Sequence, residues 1–162
     1  PKPETPGAHQ ESAWSYPRPP ALEPSNRHVR IVFNGRVVAE TRRPFLVKET
    51  SHPPVYFIPP EDVCSGVLEA RKETSSCEWK GQALYYDFVV GDKRVEKAAF
   101  SYPSPHPRFE SLRDWISFYA GPMDEVTVNG ERVTPQAGGF YSGWITKDVV
   151  GPFKGGPGTW GW

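Results

Sequence analysis

A pattern typical of a β-hairpin runs through the middle of the chain, from residue 77 to residue 103. Two runs rich in aromatic and β-branched residues flank Gly91-Asp92, and such runs around a Gly-Asp turn predict a hairpin. Successive side chains of a strand lie on opposite faces, so aromatic residues of the two strands meet across the pair. A chain with this hairpin at its centre is constrained to a fold based on sheets.

The rest of the chain also favours strands and turns. Asn34-Gly35 and Asn129-Gly130 each stand between short β-branched runs, which predicts two further hairpins. The 162 residues include 19 prolines and 15 glycines, a composition that disfavours long helices. We therefore predict a mainly β fold.

One segment, from about residue 109 to residue 120, has the spacing of a helix. Leu112, Trp115, Ile116 and Tyr119 recur at i, i+3, i+4 and i+7. Gly121-Pro122 follows, a pair that ends helices. One helix is predicted here, with its apolar face against a sheet.

Composition divides the chain into three parts. Residues 1–27 are a proline-rich arm, residues 28–137 contain the strand patterns, and residues 138–162 are rich in glycine and tryptophan. A flexible linker would use serine in place of tryptophan and phenylalanine. We expect residues 138–162 to pack on the domain or on a partner subunit.

Charge and hydropathy exclude several classes of function. Lys+Arg and Asp+Glu both number 19, so no basic surface for nucleic acid is expected. No apolar run is long enough to cross a membrane, and no signal peptide is visible, which predicts a cytoplasmic protein. The 2 cysteines, Cys64 and Cys77, do not make a disulfide scaffold and are expected to be free thiols.

Aromatic residues beside stiff proline-containing loops indicate a pocket for a small flat molecule. Its predicted ligand-binding residues are Arg42, Tyr56, Trp79, Tyr86, Phe100 and Tyr102. The aromatic members would enclose the ligand, and polar side chains would orient it by hydrogen bonds. The alternative is that these aromatic residues are ordinary core.

Four residues are candidates for catalysis: His52, Glu49, Cys77 and Lys80. His52 with a nearby carboxylate has the composition of a general base, and Cys77 would be a nucleophile if Lys80 or His52 lowered its pKa. The alternatives are a histidine bonded to its own loop and an inert thiol. No cofactor is predicted, because Gly151–Gly156 has the glycine spacing of a phosphate-binding loop but is followed by Pro157, where such a loop needs lysine and then serine or threonine. No metal site is predicted, because no pair of carboxylates stands out as a clamp for metal ions.

Four ordered motifs resemble the DUF427 family, a family of unknown function. They are residues 49–56, residues 77–81, residues 98–103 and the segment from Trp115 to Tyr119, and residues 139–159 resemble the tail of its longer members. The resemblance implies a β-tent-like fold of two antiparallel sheets pinned at one end, an architecture shared with the thalidomide-binding domain of cereblon. Many of those relatives hold zinc with two Cys-x-x-Cys pairs, and Cys64 and Cys77 cannot form such a site. Some naming of the family includes a nucleotidyltransferase label.

Three hypotheses for the function follow. The first is a domain that binds a small flat molecule in an aromatic pocket between two sheets. The second is an enzyme, a transferase or hydrolase that uses His52 or Cys77. The third is a structural homodimer whose arm and tail exchange between subunits.

Overall fold

Strands dominate the computed structural model, which describes residues 1–162. In chain order they are β1 (Glu11–Ser12), β2 (Ala21–Pro24), β3 (Val29–Phe33), β4 (Arg36–Thr41), β5 (Phe45–Lys48), β6 (Val55–Phe57), β7 (Leu68–Cys77), β8 (Gly81–Val90), β9 (Lys93–Ser101), β10 (Ser117–Phe118), β11 (Glu125–Val128), β12 (Glu131–Arg132), β13 (Thr134–Pro135), β14 (Trp144–Ile145) and β15 (Val149–Val150). Short 3-10 helices lie at Ala13–Ser15, Pro60–Asp62 and Pro107–Leu112. The predicted mainly β fold class is confirmed.

The sheets are antiparallel, with one short exception. The two larger sheets have four strands each, in the orders β10-β9-β8-β7 and β12-β11-β3-β4. A third antiparallel sheet has three strands in the order β2-β5-β6. The structure therefore contains more than the two antiparallel sheets expected. Strands β13 and β14 form an antiparallel pair, and β1 pairs with β15 in parallel.

The three predicted hairpins are present. Asn34-Gly35 joins β3 to β4, and Asn129-Gly130 joins β11 to β12. In both turns the two central residues have positive φ, as a type I′ turn requires. Gly91-Asp92 joins β8 to β9 in the central hairpin. Local turn chemistry therefore sets these strand pairs.

The helix predicted over residues 109–120 is not formed. A 3-10 helix covers only Pro107–Leu112, and Asp114 then takes a φ of 64°, which no right-handed helix contains. The following residues are extended, because Ile116 bridges to Ile58 and β10 pairs with β9. Strand pairing overrides the helical spacing of the apolar residues. No helix of the protein is long and apolar enough to cross a lipid bilayer.

Two adjoining apolar clusters lie on opposite faces of the strands. In β6, Tyr56 belongs to the larger cluster, whereas Phe57 belongs to the smaller one. In β8, Tyr85 packs in the smaller cluster and Phe88 in the larger. This division decides which aromatic side chains reach the cavity described below.

The segment from residue 138 onward packs against its own chain. Trp144 is 1% exposed and stacks on Tyr56, with ring centroids 4.8 Å apart. Its indole N–H donates to the carbonyl oxygen of Phe118 at 3.0 Å. Near the other end of the chain, the indole N–H of Trp14 donates to the carbonyl oxygen of Pro152 at 2.8 Å. The first and last segments of the sequence therefore meet.

Candidate functional site

A cavity of about 230 Å³ lies where β5 and β6, the β7–β8 end of the central sheet and the segment 140–154 come together. Most of its wall is apolar or aromatic. Its lining residues are Val47, Glu49, His52, Val55, Ser75, Ser76, Cys77, Glu78, Trp79, Lys80, Ala83, Tyr85, Phe100, Tyr102, Tyr119, Phe140, Tyr141, Ser142 and Lys154. A concave, largely apolar space with a few polar groups is the usual form of a small-molecule site.

The loop between β7 and β8 brings Lys80 to this cavity. Cys77 and Gly81 are partners across the hairpin, so residues 78–80 form its loop. The backbone N–H of His106 donates to the carbonyl oxygen of Lys80 at 3.0 Å, which ties the loop to the following segment. Gly81 has a φ of 108°, and a Cβ there would lie 3.3 Å from the carbonyl oxygen of Ser104. Glycine therefore permits both the turn and the close approach.

Lys80 is a largely buried residue whose ammonium group has no partner within the protein. The residue is 8% exposed, and its Nζ makes no hydrogen bond or ion pair with protein atoms but keeps contact with the solvent of the cavity. Its Nζ lies 5.5 Å from the ring centroid of Tyr102 and 6.0 Å from that of Phe57. Burial lowers the pKa of Lys80, although the neighbouring Cys77 and Glu49 oppose the decrease. The geometry presents an amine to the cavity with no protein acceptor beside it.

Four tyrosines line the cavity, and the hydroxyl groups of Tyr85, Tyr102 and Tyr119 differ in their partners. The Tyr85 hydroxyl is hydrogen-bonded to Ser75 Oγ at 2.8 Å, and the Tyr119 hydroxyl donates to the carbonyl oxygen of Phe140 at 2.9 Å. The Tyr102 hydroxyl has no partner in the protein. Burial raises the pKa of Tyr102 well above its ordinary value, so the phenol keeps its proton at neutral pH. Tyr102 therefore supplies a hydrogen-bond donor to the cavity, and its ring lies beside Lys80.

His52 is held by Gln136. The Gln136 side-chain oxygen accepts from the Gly143 backbone N–H at 3.1 Å, while its nitrogen donates to the Lys154 carbonyl oxygen at 2.7 Å and contacts His52 Nδ1 at 3.2 Å. Because that amide nitrogen is a donor, Nδ1 accepts and Nε2 carries the proton. The Nε2 atom lies 3.6 Å from the Glu49 carboxylate.

The same surroundings keep His52 neutral. Burial first, and then the nearby cations Lys154, Lys80 and Arg18, lower the pKa of His52 from 6.5 to about 4. The Glu49 carboxylate favours the charged ring, but burial dominates. The bond from Gln136 also occupies the nitrogen that would take a proton. His52 and Glu49 come together at the cavity wall, and neither nitrogen of His52 is a free base.

The two cysteines are free and lie in different places. Cys77 is half-buried and lines the cavity. Cys64 packs at the edge of the larger cluster, where its Sγ contacts the Val37 carbonyl oxygen at 3.3 Å. No group of three or more His, Cys, Asp or Glu side chains is placed to hold a metal ion.

The structure brings together seven of the sequence-predicted site residues: Glu49, His52, Cys77, Trp79, Lys80, Phe100 and Tyr102. Trp79 and Lys80 both reach the cavity because they belong to a loop, where the two-face alternation of a strand does not apply. Three predicted residues lie elsewhere.

Tyr56, Tyr86 and Arg42 do not line the cavity. Tyr56 faces the larger cluster, and its hydroxyl accepts from Arg27 at 2.7 Å. Tyr86 lies on the other face of β8 from Tyr85, and its hydroxyl is bonded to Ser101 Oγ at 2.9 Å. Arg42 is exposed. The alternation of strand faces accounts for the two tyrosines.

Several wall residues were missed by the sequence analysis. Tyr85 is the partner of Phe100 across the central hairpin, and direct partners share a face. The Gly91-Asp92 turn pairs Val90 with Lys93, so even-numbered residues of β9 lie opposite odd-numbered residues of β8. Phe100 is even-numbered, and the sequence therefore indicated that Tyr85, not Tyr86, shares its face. Tyr119, Tyr141 and Lys154 had no comparable signal, because contacts between distant segments bring them to the cavity.

Glycines allow the last wall of the cavity to form. A Cβ on Gly138 would lie 2.1 Å from the Gly155 carbonyl oxygen, and a Cβ on Gly155 would lie 2.1 Å from that of Ala137. Both glycines have positive φ. The two backbones can cross at this distance only without side chains. The crossing places Tyr141 and Lys154 side by side, with Lys154 Nζ 5.7 Å from the Tyr141 ring centroid.

Comparisons with known proteins identify the family of the chain. No curated protein sequence matches it. One family model, described as a domain of unknown function (DUF427), matches residues 21–129. The match covers more than half of the chain and includes the strands that form most of the cavity wall. The protein therefore belongs to the DUF427 family.

Proposed function

We propose that the protein binds a small, flat molecule in the cavity, with a carbonyl or carboxylate oxygen of the ligand directed at Lys80. The observation that carries the proposal is the ammonium group of Lys80, which faces the cavity and has no partner in the protein. Small-molecule sites are largely apolar spaces in which a few placed polar groups orient the ligand. A ligand oxygen would replace the solvent at this group and give it an acceptor.

The surroundings of Lys80 support a ligand with an aromatic or conjugated body. The rings of Trp79, Phe100, Tyr102 and Tyr119 line the same space. A cavity of about 230 Å³ is small for a ligand site and suits a molecule with one ring. The free hydroxyl of Tyr102 offers a second donor to the same oxygen.

The two alternatives have less support. A general base at His52 would need a free ring nitrogen, but Gln136 bonds Nδ1 and Nε2 carries the proton. For a homodimer with exchanged tails, no observation favours exchange over the packing seen here, in which Trp144 is buried against Tyr56 of the same chain.

A thermal-shift measurement tests the proposal with benzamide, benzoate, uridine and adenosine as probes. A probe at about 100 times its dissociation constant stabilises the folded chain by about 2.7 kcal/mol, which is about 5–10 °C at this size. We expect at least one single-ring probe to give such a shift with the wild type.

Two lysine variants show whether the probe binds at this cavity. Lys80→Met should lose the probe-induced shift, measured from the variant's own melting temperature. Lys72→Met alters an exposed lysine and should keep it. Equal shifts in wild type and Lys80→Met, or no shift with any probe, would contradict the proposal.

A further inference from the structure

The ammonium group of Lys80 differs from the other lysine groups of the protein in its surroundings. Lys48 ion-pairs with Glu11 and Glu23, and Lys154 donates to the carbonyl oxygen of Trp162. Lys80 has no such partner and faces a cavity lined by aromatic rings. A lysine desolvated in an apolar pocket is a recognised form of nucleophile for carbonyl compounds.

We infer that Lys80 forms a reversible imine with a small conjugated aldehyde that enters the cavity. The inference rests on the proposed function, because the aldehyde must first occupy the binding site. It adds a chemical class to the ligand and a covalent step to the binding. An aldehyde with one ring matches the size of the cavity and its aromatic wall.

The amine of Lys80 is available for this step. Burial lowers the pKa of Lys80, so a larger fraction of its amine is neutral at neutral pH than in an exposed lysine. Only the neutral amine has the lone pair that attacks a carbonyl carbon. The backbone bond from His106 fixes the loop that carries it, so the amine stays at the cavity wall.

Tyr102 supplies a hydrogen-bond donor to the same cavity. Its ring centroid lies 5.5 Å from Lys80 Nζ, and its protonated hydroxyl has no partner in the protein. The Nζ lone pair forms a bond to the carbonyl carbon, and one proton of the attacking nitrogen passes to the carbonyl oxygen, which leaves a neutral carbinolamine. The Tyr102 hydroxyl keeps its proton and donates a hydrogen bond to that oxygen.

Loss of water completes the reaction. The carbinolamine loses its hydroxyl group and its remaining N–H proton as one water molecule, and a C=N bond remains. One amine and one aldehyde are consumed, and one imine and one water are formed. No oxidant or reductant takes part, and addition of water reverses the sequence.

Reductive trapping tests the inference on the folded, full-length chain. The protein is incubated with limiting benzaldehyde and sodium cyanoborohydride at neutral pH, and mass spectrometry of its peptides measures the adduct on each lysine. A lowered pKa raises the neutral fraction of an amine at neutral pH, and the cavity binds the aldehyde beside Lys80, so Lys80 should be labelled faster than Lys72. The preference should disappear in urea, where the cavity is lost.

Variants and a competitor locate the reaction. Lys80→Met should remove the selective adduct, and Lys72→Met should leave it unchanged. Benzamide keeps the ring and the carbonyl oxygen but forms no imine, so it should slow the labelling of Lys80. Tyr102→Phe should slow the labelling without abolishing benzamide binding, and an unchanged rate would overturn the role given to Tyr102.

The experiment separates this inference from the proposed function. If benzamide gives a Lys80-dependent thermal shift while Lys80 is labelled no faster than Lys72, the imine is refuted and the binding site stands. If no probe binds and no lysine is labelled selectively, both are refuted. Selective labelling that survives Lys80→Met would also overturn the imine.

Discussion

Replacing Lys80 by methionine should stabilise the protein in the absence of any ligand. An ammonium group that is largely removed from water and has no acceptor in the protein destabilises the free protein, since it loses part of its hydration without a replacing bond. Methionine has a similar length and no charge, so it can fill the space of the lysine stem. The expected gain in stability follows from the same unpaired ammonium group that supports the proposed function.

The size of the effect can be worked from two opposing contributions. Burying a polar group without a hydrogen bond costs about 1–3 kcal/mol in protein mutational data. The rings of Tyr102 and Phe57, at 5.5 and 6.0 Å from Nζ, return part of this through cation–π attraction, which is about 0.5–2 kcal/mol in such sites. The difference is about 1 kcal/mol in favour of methionine, or about 2–4 °C in melting temperature for a chain of this size.

The assay is thermal unfolding of dialysed wild type, Lys80→Met and Lys72→Met across a range of pH. The pKa of Lys80 is lowered by folding from its ordinary value of 10.5. Between the lowered value and 10.5 the unfolded chain binds more protons at this residue, so the stability of the wild type rises with pH in that window. The methionine variant lacks this dependence, and its advantage should therefore shrink as the pH approaches 10.

Two outcomes would refute this reasoning. A melting temperature lowered by Lys80→Met would mean that the ammonium group makes a net stabilising contact in the free protein. An advantage that stays constant from pH 7 to pH 10 would mean that folding leaves the pKa of Lys80 unchanged. Lys72→Met should match the wild type at every pH.

Two further predictions concern the segment 138–155 and His52. Gly155→Ala should cost about 3 kcal/mol or more, because its Cβ would lie 2.1 Å from the Ala137 carbonyl oxygen at a φ of 134°. Gly156→Ala is the control, since the nearest atom to its added Cβ lies 4.0 Å away, and it should change the unfolding free energy by less than about 0.5 kcal/mol. Both variants are measured by urea unfolding, and equal losses of stability in Gly155→Ala and Gly156→Ala would contradict the close backbone crossing. The ring resonances of His52 in NMR spectra should stay constant from pH 8 to about pH 5, since its pKa is lowered from 6.5 to about 4. As the pH drops, the unfolded chain takes up this proton before the folded chain does, so the stability should fall between pH 6.5 and about pH 4. An NMR titration midpoint of His52 near 6.5 would show that the ring is not buried as described.

Local chemistry made much of the fold predictable. The turns at Asn34-Gly35, Gly91-Asp92 and Asn129-Gly130 fix their own hairpins, because few residues tolerate the backbone angles of such turns. The prediction of a helix over residues 109–120 was wrong because contacts with distant strands, rather than the local pattern, decide the structure there. Its apolar residues do recur at helical spacing, but pairing with β9 and with Ile58 buries them better as extended chain.

The candidate site was predictable only in part. Residues near the central hairpin, such as Lys80 and Phe100, could be proposed because the hairpin itself reaches the cavity. The prediction named Tyr86, whereas its neighbour Tyr85 faces the cavity. The pairing of β8 with β9 places Tyr85 opposite Phe100, so following this pairing from the turn would have identified Tyr85. Tyr141 and Lys154 depend on a backbone crossing between distant segments, and no local pattern in the sequence specifies such a contact.

The crossing at Gly138 and Gly155 also sets the order in which the site can appear during synthesis. A ribosome makes the central hairpin, with Lys80 and Tyr102, well before it makes the segment that closes the cavity. Until residues 138–155 have emerged, Lys80 stands at an open edge and remains in contact with water. The largely desolvated surroundings of Lys80 therefore require the segment 138–155, which supplies the last wall of the cavity.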